Sequence, residues 1–313
     1  MGASETCGGD SPVCCNSNFA SVCCPANSAC TQGCRDSLLG SCGCIPLRKS
    51  EYDEDDAVHR LAYLAASQCH VNEGLNNTWS CNACTQEDYL EEVNLVENKG
   101  HAALVGWDGS AVVVALRGSL SAQDWIDDAK NAVLTDYPEC EGCRVGLGWY
   151  DTCKDMAELT IAAAREVAAN HPGAPLIITG HSLGAAVAPL FYAEVAKTEL
   201  KEQVQFPVYT FGQPRVGNDV YAKWFEGQIE DAGEWYRVVH NNDPVPHLPP
   251  PALGFTHMST EIYYMESGTG PGFYQVCDGS GEDQQCSAGT LVSGNFNDHN
   301  EYIDHDIHQC HAF

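Results

Sequence analysis

The sequence predicts an α/β domain with a mostly parallel central sheet and helices on both faces, preceded by a small cysteine-rich module. Three observations carry this. Strand and helix signals alternate from residue 102 onward. A short apolar run at 176–179 passes through Gly180-His181-Ser182-Leu183-Gly184 into an alanine-rich helical pattern, and nine of the 18 cysteines fall between Cys7 and Cys44. Alternation of this kind builds a parallel sheet, because each parallel pair needs a crossover that packs back onto it.

Residues 1–47 are rich in Gly, Ser and Asn, poor in large apolar side chains, and carry the doublets Cys14-Cys15 and Cys23-Cys24. Such a segment needs crosslinks to hold a shape and reads as a disulfide-stapled minidomain. Binding a carbohydrate or other surface ligand, or protecting the domain that follows, would suit it. The main domain is expected over 51–313. Eighteen cysteines in 313 residues point to an oxidising, extracellular setting. No stretch is apolar over the roughly 20 residues that cross a bilayer, and the start has no apolar signal segment, so a processed, secreted form is expected. The opening MGASET fits a myristoylation pattern, against which the cysteine usage argues.

Forty-three acidic against 15 basic residues give a net charge of -28. This repels nucleic acid and anionic membranes and leaves neutral substrates as the simpler expectation. The acidic run Glu51-Tyr52-Asp53-Glu54-Asp55-Asp56 has calcium-binding as its sharper reading. An amphipathic segment (Val58, Leu61, Ala62, Leu64, Ala65) follows at once, so carboxylates at a helix N-terminus explain it better.

Taken in order, 102–117 reads as a hairpin turning at Asp108-Gly109-Ser110, and 155–169 as a helix. Leu176-Ile177-Ile178-Thr179 is a strand buried on both faces. Leu183, Val187, Leu190 and Phe191 space the next helix, in which Pro189 is expected to remove a hydrogen bond and kink the axis. A strand at 206–212, a helix near 218–230 and a strand at 234–240 follow. The pentad around Ser182 has the G-x-S-x-G spacing in which small flanking residues let the backbone turn sharply and expose the hydroxyl at a helix head. Alone it is weak, occurring by chance in about one chain in ten of this length. The strand before it and the helix after it make Ser182 a candidate nucleophile.

A nucleophilic serine needs a base, and the base an acid, in the chain order Ser, Asp or Glu, His. Asp243 lies just beyond a strand end, where the acid belongs; its competitor Asp219 starts a helical pattern and reads as a cap. Of the histidines that follow, loop position favours His299, His305, His308 and His311, which local pattern does not separate. The last three are closely spaced but match no dedicated zinc pattern, so no metal is expected.

GHSLG, with "RGS" at 117–119, "NNDPVPHLPP" at 241–250, "GFTHMSTEIYY" at 254–264 and "DHNEYI" at 298–303, resembles the fungal-type class 3 lipase family, which includes feruloyl esterases and has the α/β-hydrolase fold. The resemblance spans roughly 55–311, with five motifs in order. It implies Ser182 as nucleophile, Asp243 as acid, His299 as base, and the amides of Ser119 and Leu183 as oxyanion donors. His257 matches a non-catalytic histidine of the family. It also implies disulfides between Cys69 and Cys310, Cys81 and Cys84, and Cys140 and Cys143, the last two being C-x-x-C spacings without a redox-motif context. Cys277 and Cys286 are expected to close a loop of their own. That leaves Cys153, expected to bond to a cysteine between Cys7 and Cys44.

The family's lid corresponds to 120–133, where Trp125 and Ile126 would form the apolar face, although Asp124, Asp127 and Asp128 make it acidic. The implied activity is secreted hydrolysis of lipid esters without cofactor, with feruloyl or soluble-ester hydrolysis close behind. A catalytically silent binding protein is disfavoured by the three triad residues, and a peptidase by the other four motifs. Asn76-Asn77-Thr78 is an N-glycosylation sequon.

Overall fold

The computed structural model describes residues 13–16, 21–24, 28–30, 44–46, 52–69, 79–84, 88–119, 129, 132–265, 274–290 and 295–307. The chain divides into two compact units, Met1–Glu51 and Tyr52–Phe313. In the first, Val13–Asn16 pairs antiparallel with Ser21–Cys24, and Ser28–Cys30 with Cys44–Pro46.

The second unit is built on one sheet of eight strands lying in sequence order: β1 Glu91–Asn98, β2 His101–Trp107, β3 Val112–Leu116, β4 Leu176–His181, β5 Val208–Phe211, β6 Trp235–His240, β7 Glu261–Tyr264 and β8 Tyr274–Val276. Strands β3 to β7 are parallel; β1, β2 and β8 add antiparallel edges. The β2–β3 turn follows from Asp108, whose Oδ1 accepts the amides of Ser110 and Ala111 at 2.7 and 2.6 Å, while Gly109 takes φ +91°. An Asx turn with glycine at positive φ is the local chemistry a tight hairpin requires.

Period-two burial explains why β3 and β4 read as continuous apolar runs. Val112, Val114, Leu116, Leu176 and Ile178 face one apolar cluster, and Val113, Ala115 and Ile177 the other. Each of the Val, Leu and Ile side chains contributes about 1.5–3 kcal/mol by leaving water. Helices α2 Leu147–Asn170, α3 Leu183–Val195 and α4 Asp219–Ile229 cover the first face, and α1 Glu54–Ser67 the second. The acidic run caps α1, with Asp53 accepting the Asp56 amide at 3.2 Å and Glu54, Asp55 and Asp56 in the first turn.

Three sequence expectations need correcting. Helix α2 begins at Leu147, eight residues before the expected start. Asp219 is the first helical residue of α4, not its cap; Asn218 caps it, accepting the Tyr221 amide at 3.0 Å. Pro189 lies inside helix α3, which continues to Val195. Cys153 is free and buried at 3% exposure among the apolar residues of α2, where burial pushes its thiol up to about 12. Its place on the core face, not spacing, decides that it packs as a small hydrophobe. Among the described residues no helix is long and apolar enough to cross a membrane.

Candidate active site

The carboxyl ends of β4, β5 and β6 converge with the segment 295–303. Ser182 sits at the junction of β4 and α3 with φ +55° and ψ -121°, a strained conformation for a residue with a Cβ. Its flanking glycines are there for space. A Cβ on Gly180 would lie 2.5 Å from the Gly184 carbonyl oxygen, and one on Gly184 would lie 2.0 Å from that of Leu116. The Ser182 amide is held by the Phe211 carbonyl at 3.0 Å, which ties the turn to the end of β5.

His299 lies in the short helix Asn297–Asn300 and is fully buried. Its Nδ1 contacts Asp243 Oδ2 at 2.9 Å. Because a carboxylate only accepts, Nδ1 carries the proton and Nε2 of the neutral ring keeps a lone pair. That Nε2 is buried and makes no hydrogen bond, an arrangement common before substrate binds. Gly212, at φ +57°, is the floor beneath the ring: a Cβ there would come within 2.8 Å of His299 Cε1.

Asp243 is fully buried and its carboxylate is hydrogen-bonded at both oxygens. Oδ1 accepts the Val245 amide at 2.8 Å; Oδ2 accepts from His299 and from the hydroxyl of Tyr302. Burial, and next the charge of Asp243, hold the Tyr302 hydroxyl well above its ordinary range, so it remains a donor. Asp298 joins the two loops: Oδ2 accepts Asn241 Nδ2 at 2.9 Å and the Asn242 amide at 3.0 Å, and its carbonyl accepts His240 Nδ1 at 3.2 Å. His181 donates from Nε2 to the His299 carbonyl at 3.0 Å, with the two rings 4.5 Å apart.

Leu183 is the first residue of α3, where a backbone N–H has no partner within the helix. Ser119 follows β3 and is half-buried. The intervening Gly118 packs so close to the serine turn that a Cβ would meet Ser182 Cβ at 3.1 Å. Thus Ser119, Leu183, Ser182, Asp243 and His299 lie at one end of the sheet. Tyr302, Asp298 and His181 were not singled out by sequence reasoning, although all three lie within the quoted motifs.

Other expected residues distribute as follows. Cys81 pairs with Cys84, Cys140 with Cys143, and Cys277 with Cys286. Cys69 is disulfide-bonded; Cys310 lies outside the described residues, as do Trp125, Ile126, Asn76, His308 and His311. His257 is buried, with Nε2 donating to the Pro246 carbonyl at 2.7 Å, and burial lowers its basicity well below the usual. Among the described residues one grouping has metal-ligand proximity, Glu261 with Cys277 and Cys286, but both sulfurs are spent in a disulfide.

Residues 113–253 match the family described as Lipase (class 3). A secreted mono- and diacylglycerol lipase 1 of Fusarium solani is 32% identical over 247 residues, covering 74% of this chain and 70% of the relative. The secreted mono- and diacylglycerol lipase A of Penicillium cyclopium is 39% identical over 176 residues, 56% of this chain and 54% of that protein. The Rhizomucor miehei triacylglyceride lipase structure superposes with a TM-score of 0.70 at 25% identity, covering 83% of this chain and 98% of that one. The sheet, the serine turn and these likenesses agree on an α/β-hydrolase fold and a carboxylic ester hydrolase, and the chain belongs to the class 3 lipase family.

Proposed function

We propose that this protein is a secreted lipase that hydrolyses acylglycerol esters through Ser182, Asp243 and His299. The observation that carries the reading is the His299–Asp243 hydrogen bond, which fixes the tautomer with its lone pair on Nε2, at the same end of the sheet as a serine in a strained helix-head conformation. His299 Nε2 takes the Ser182 proton as Oγ bonds to the ester carbonyl carbon. The oxyanion is received by the amides of Ser119 and Leu183, donors worth roughly 3–4 kcal/mol each. Collapse breaks the bond to the alcohol oxygen, which leaves with the proton from His299; water then releases the acid by the same steps in reverse roles. No cofactor is needed in this chemistry.

Acylglycerols are favoured as substrates by the names of the Fusarium and Penicillium relatives. Secretion is supported by those names and by the three described disulfides. Trp125 and Ile126 are proposed as the lid face that meets the lipid, and residues 1–47 as a module for a carbohydrate or other surface ligand.

The test is a substrate series: mono-, di- and triacylglycerol emulsions, p-nitrophenyl esters from short to long chains, and methyl ferulate, each with wild type and Ser182→Ala. Acylglycerol and long-chain esters are expected to lead, and the variant to lose about a thousandfold or more. A preference for methyl ferulate or short esters would replace lipase by esterase.

A further inference from the structure

Asp243 is the first residue of a short, stiff piece of chain. Pro244, Pro246 and Pro249 restrict its backbone, Val245–His247 forms a single 3-10 turn, and the amides of His247 and Leu248 return to the carbonyls of Pro244 and Val245 at 3.2 and 2.9 Å. The far end of this piece is gripped by one residue. Arg215, 4% exposed beyond the end of β5, takes three consecutive carbonyls: Nη1 donates to His247 at 2.6 Å and to Pro249 at 3.1 Å, and its amide donates to Leu248 at 2.8 Å. The remaining edge of the guanidinium, Nε and Nη2, makes two bonds of 2.7 Å to the carboxylate of Glu282.

Glu282 is itself fixed. Its Oε1 also accepts the His257 amide at 3.1 Å, and its loop is closed by the Cys277–Cys286 disulfide. The preceding Gly281, at φ +78°, lies so close to His257 that a Cβ would stand 2.5 Å from that carbonyl oxygen. Arg237, fully buried, holds the Gly281 carbonyl at 3.3 Å and the Met258 carbonyl at 2.7 Å. A largely buried ion pair stabilises a fold poorly compared with packed apolar groups. What a two-pronged guanidinium supplies, and an apolar contact does not, is direction.

We infer that Arg215 is a positioning residue: braced by Glu282 in the disulfide-closed loop, it sets the Asp243 carboxylate against His299. This rests on Asp243 being the acid of the triad. Misplacing a reacting group by an ångström costs on the order of a hundredfold, so the effect belongs in kcat.

The experiment uses the whole chain, a soluble p-nitrophenyl ester, and a double-mutant cycle of Arg215→Met with Asp243→Asn. Arg215→Met alone is expected to lower kcat about 10- to 100-fold with KM within about twofold; Arg215→Lys, which keeps the charge but lacks the fork, should not rescue it. In the Asp243→Asn background, the same change is expected to cost no more than about twofold further, since the group it positions is gone. Equal fold losses in both backgrounds, or a loss carried by KM, would overturn the inference. If Arg215→Met does not fold, Glu282→Gln replaces it in the cycle under the same criteria, with a kcat loss of several-fold expected. An Asp243→Asn protein as active as wild type would instead remove the acid assignment on which the inference stands.

Discussion

At the scale of single residues, the site depends on groups that differ greatly in how visible they are in the sequence. Ser182 announces itself because its chemistry needs a glycine two residues away on each side, and the geometry shows why: both positions abut backbone. Asp243 is visible as a carboxylate just past an apolar strand. His299 is not separable from His305, His308 and His311 by local pattern, because what distinguishes it is burial against Asp243, a contact across 56 residues; only the family resemblance selects it. Tyr302 has no signature beyond its place in the DHNEYI motif. It shares Asp243 Oδ2 with His299, so Tyr302→Phe should leave a buried carboxylate one donor short, at about 1–3 kcal/mol. The expected outcome is a kcat lowered several-fold at nearly constant KM, together with a lower melting temperature. A variant unchanged in both would assign the hydroxyl no part in holding Asp243.

At the scale of elements, strands β2 to β6 are legible as apolar runs bounded by turn residues, whereas β7, buried at all four positions, is too short and too polar in sequence to read as a strand. The edge strand β1 is not legible either, since its residues are largely exposed or half-buried and alternate poorly. The start of helix α2 is hidden in the sequence because its first turn carries Gly148 and no side-chain cap; packing of Trp149, whose indole donates to the Arg215 carbonyl at 3.2 Å, holds that end. The loop 277–286 was recognised as disulfide-closed, but its purpose was hidden in a pairing between Glu282 and Arg215, 67 residues apart. Burial raises the Glu282 carboxyl, yet the bonds from Arg215, its charge and the His257 amide outweigh that and hold it below the ordinary 4.5. A carboxylate lowered on folding stabilises above its unfolded value, and that contribution is lost as pH falls through the folded one. The melting-temperature gap between wild type and Glu282→Gln should therefore be widest near neutrality and close progressively below pH 4.5. A gap independent of pH from 7 to 3 would show that the charge of Glu282 is not what holds the loop.

At the scale of the whole molecule, the α/β class and the position of the site at the carboxyl ends of the parallel strands follow from the alternation of apolar runs with amphipathic helices, whereas the sequential order of the eight strands does not, since the same alternation builds sheets of other orders. Hydrolysis of acylglycerols is neutral-substrate chemistry, in keeping with a chain of net charge -28. The free Cys153 marks the limit of counting. Parity of cysteines suggested a partner, whereas the core face of α2 left it none. All the proposed chemistry passes through one activated hydroxyl, and a fluorophosphonate probe reads it directly. Labelling the intact protein and mapping the adduct should find one modification, on Ser182, that is lost in Ser182→Ala and slowed about a thousandfold or more in His299→Ala. A folded protein that takes no label, or takes it at another serine, would contradict the assignment of Ser182 as the nucleophile.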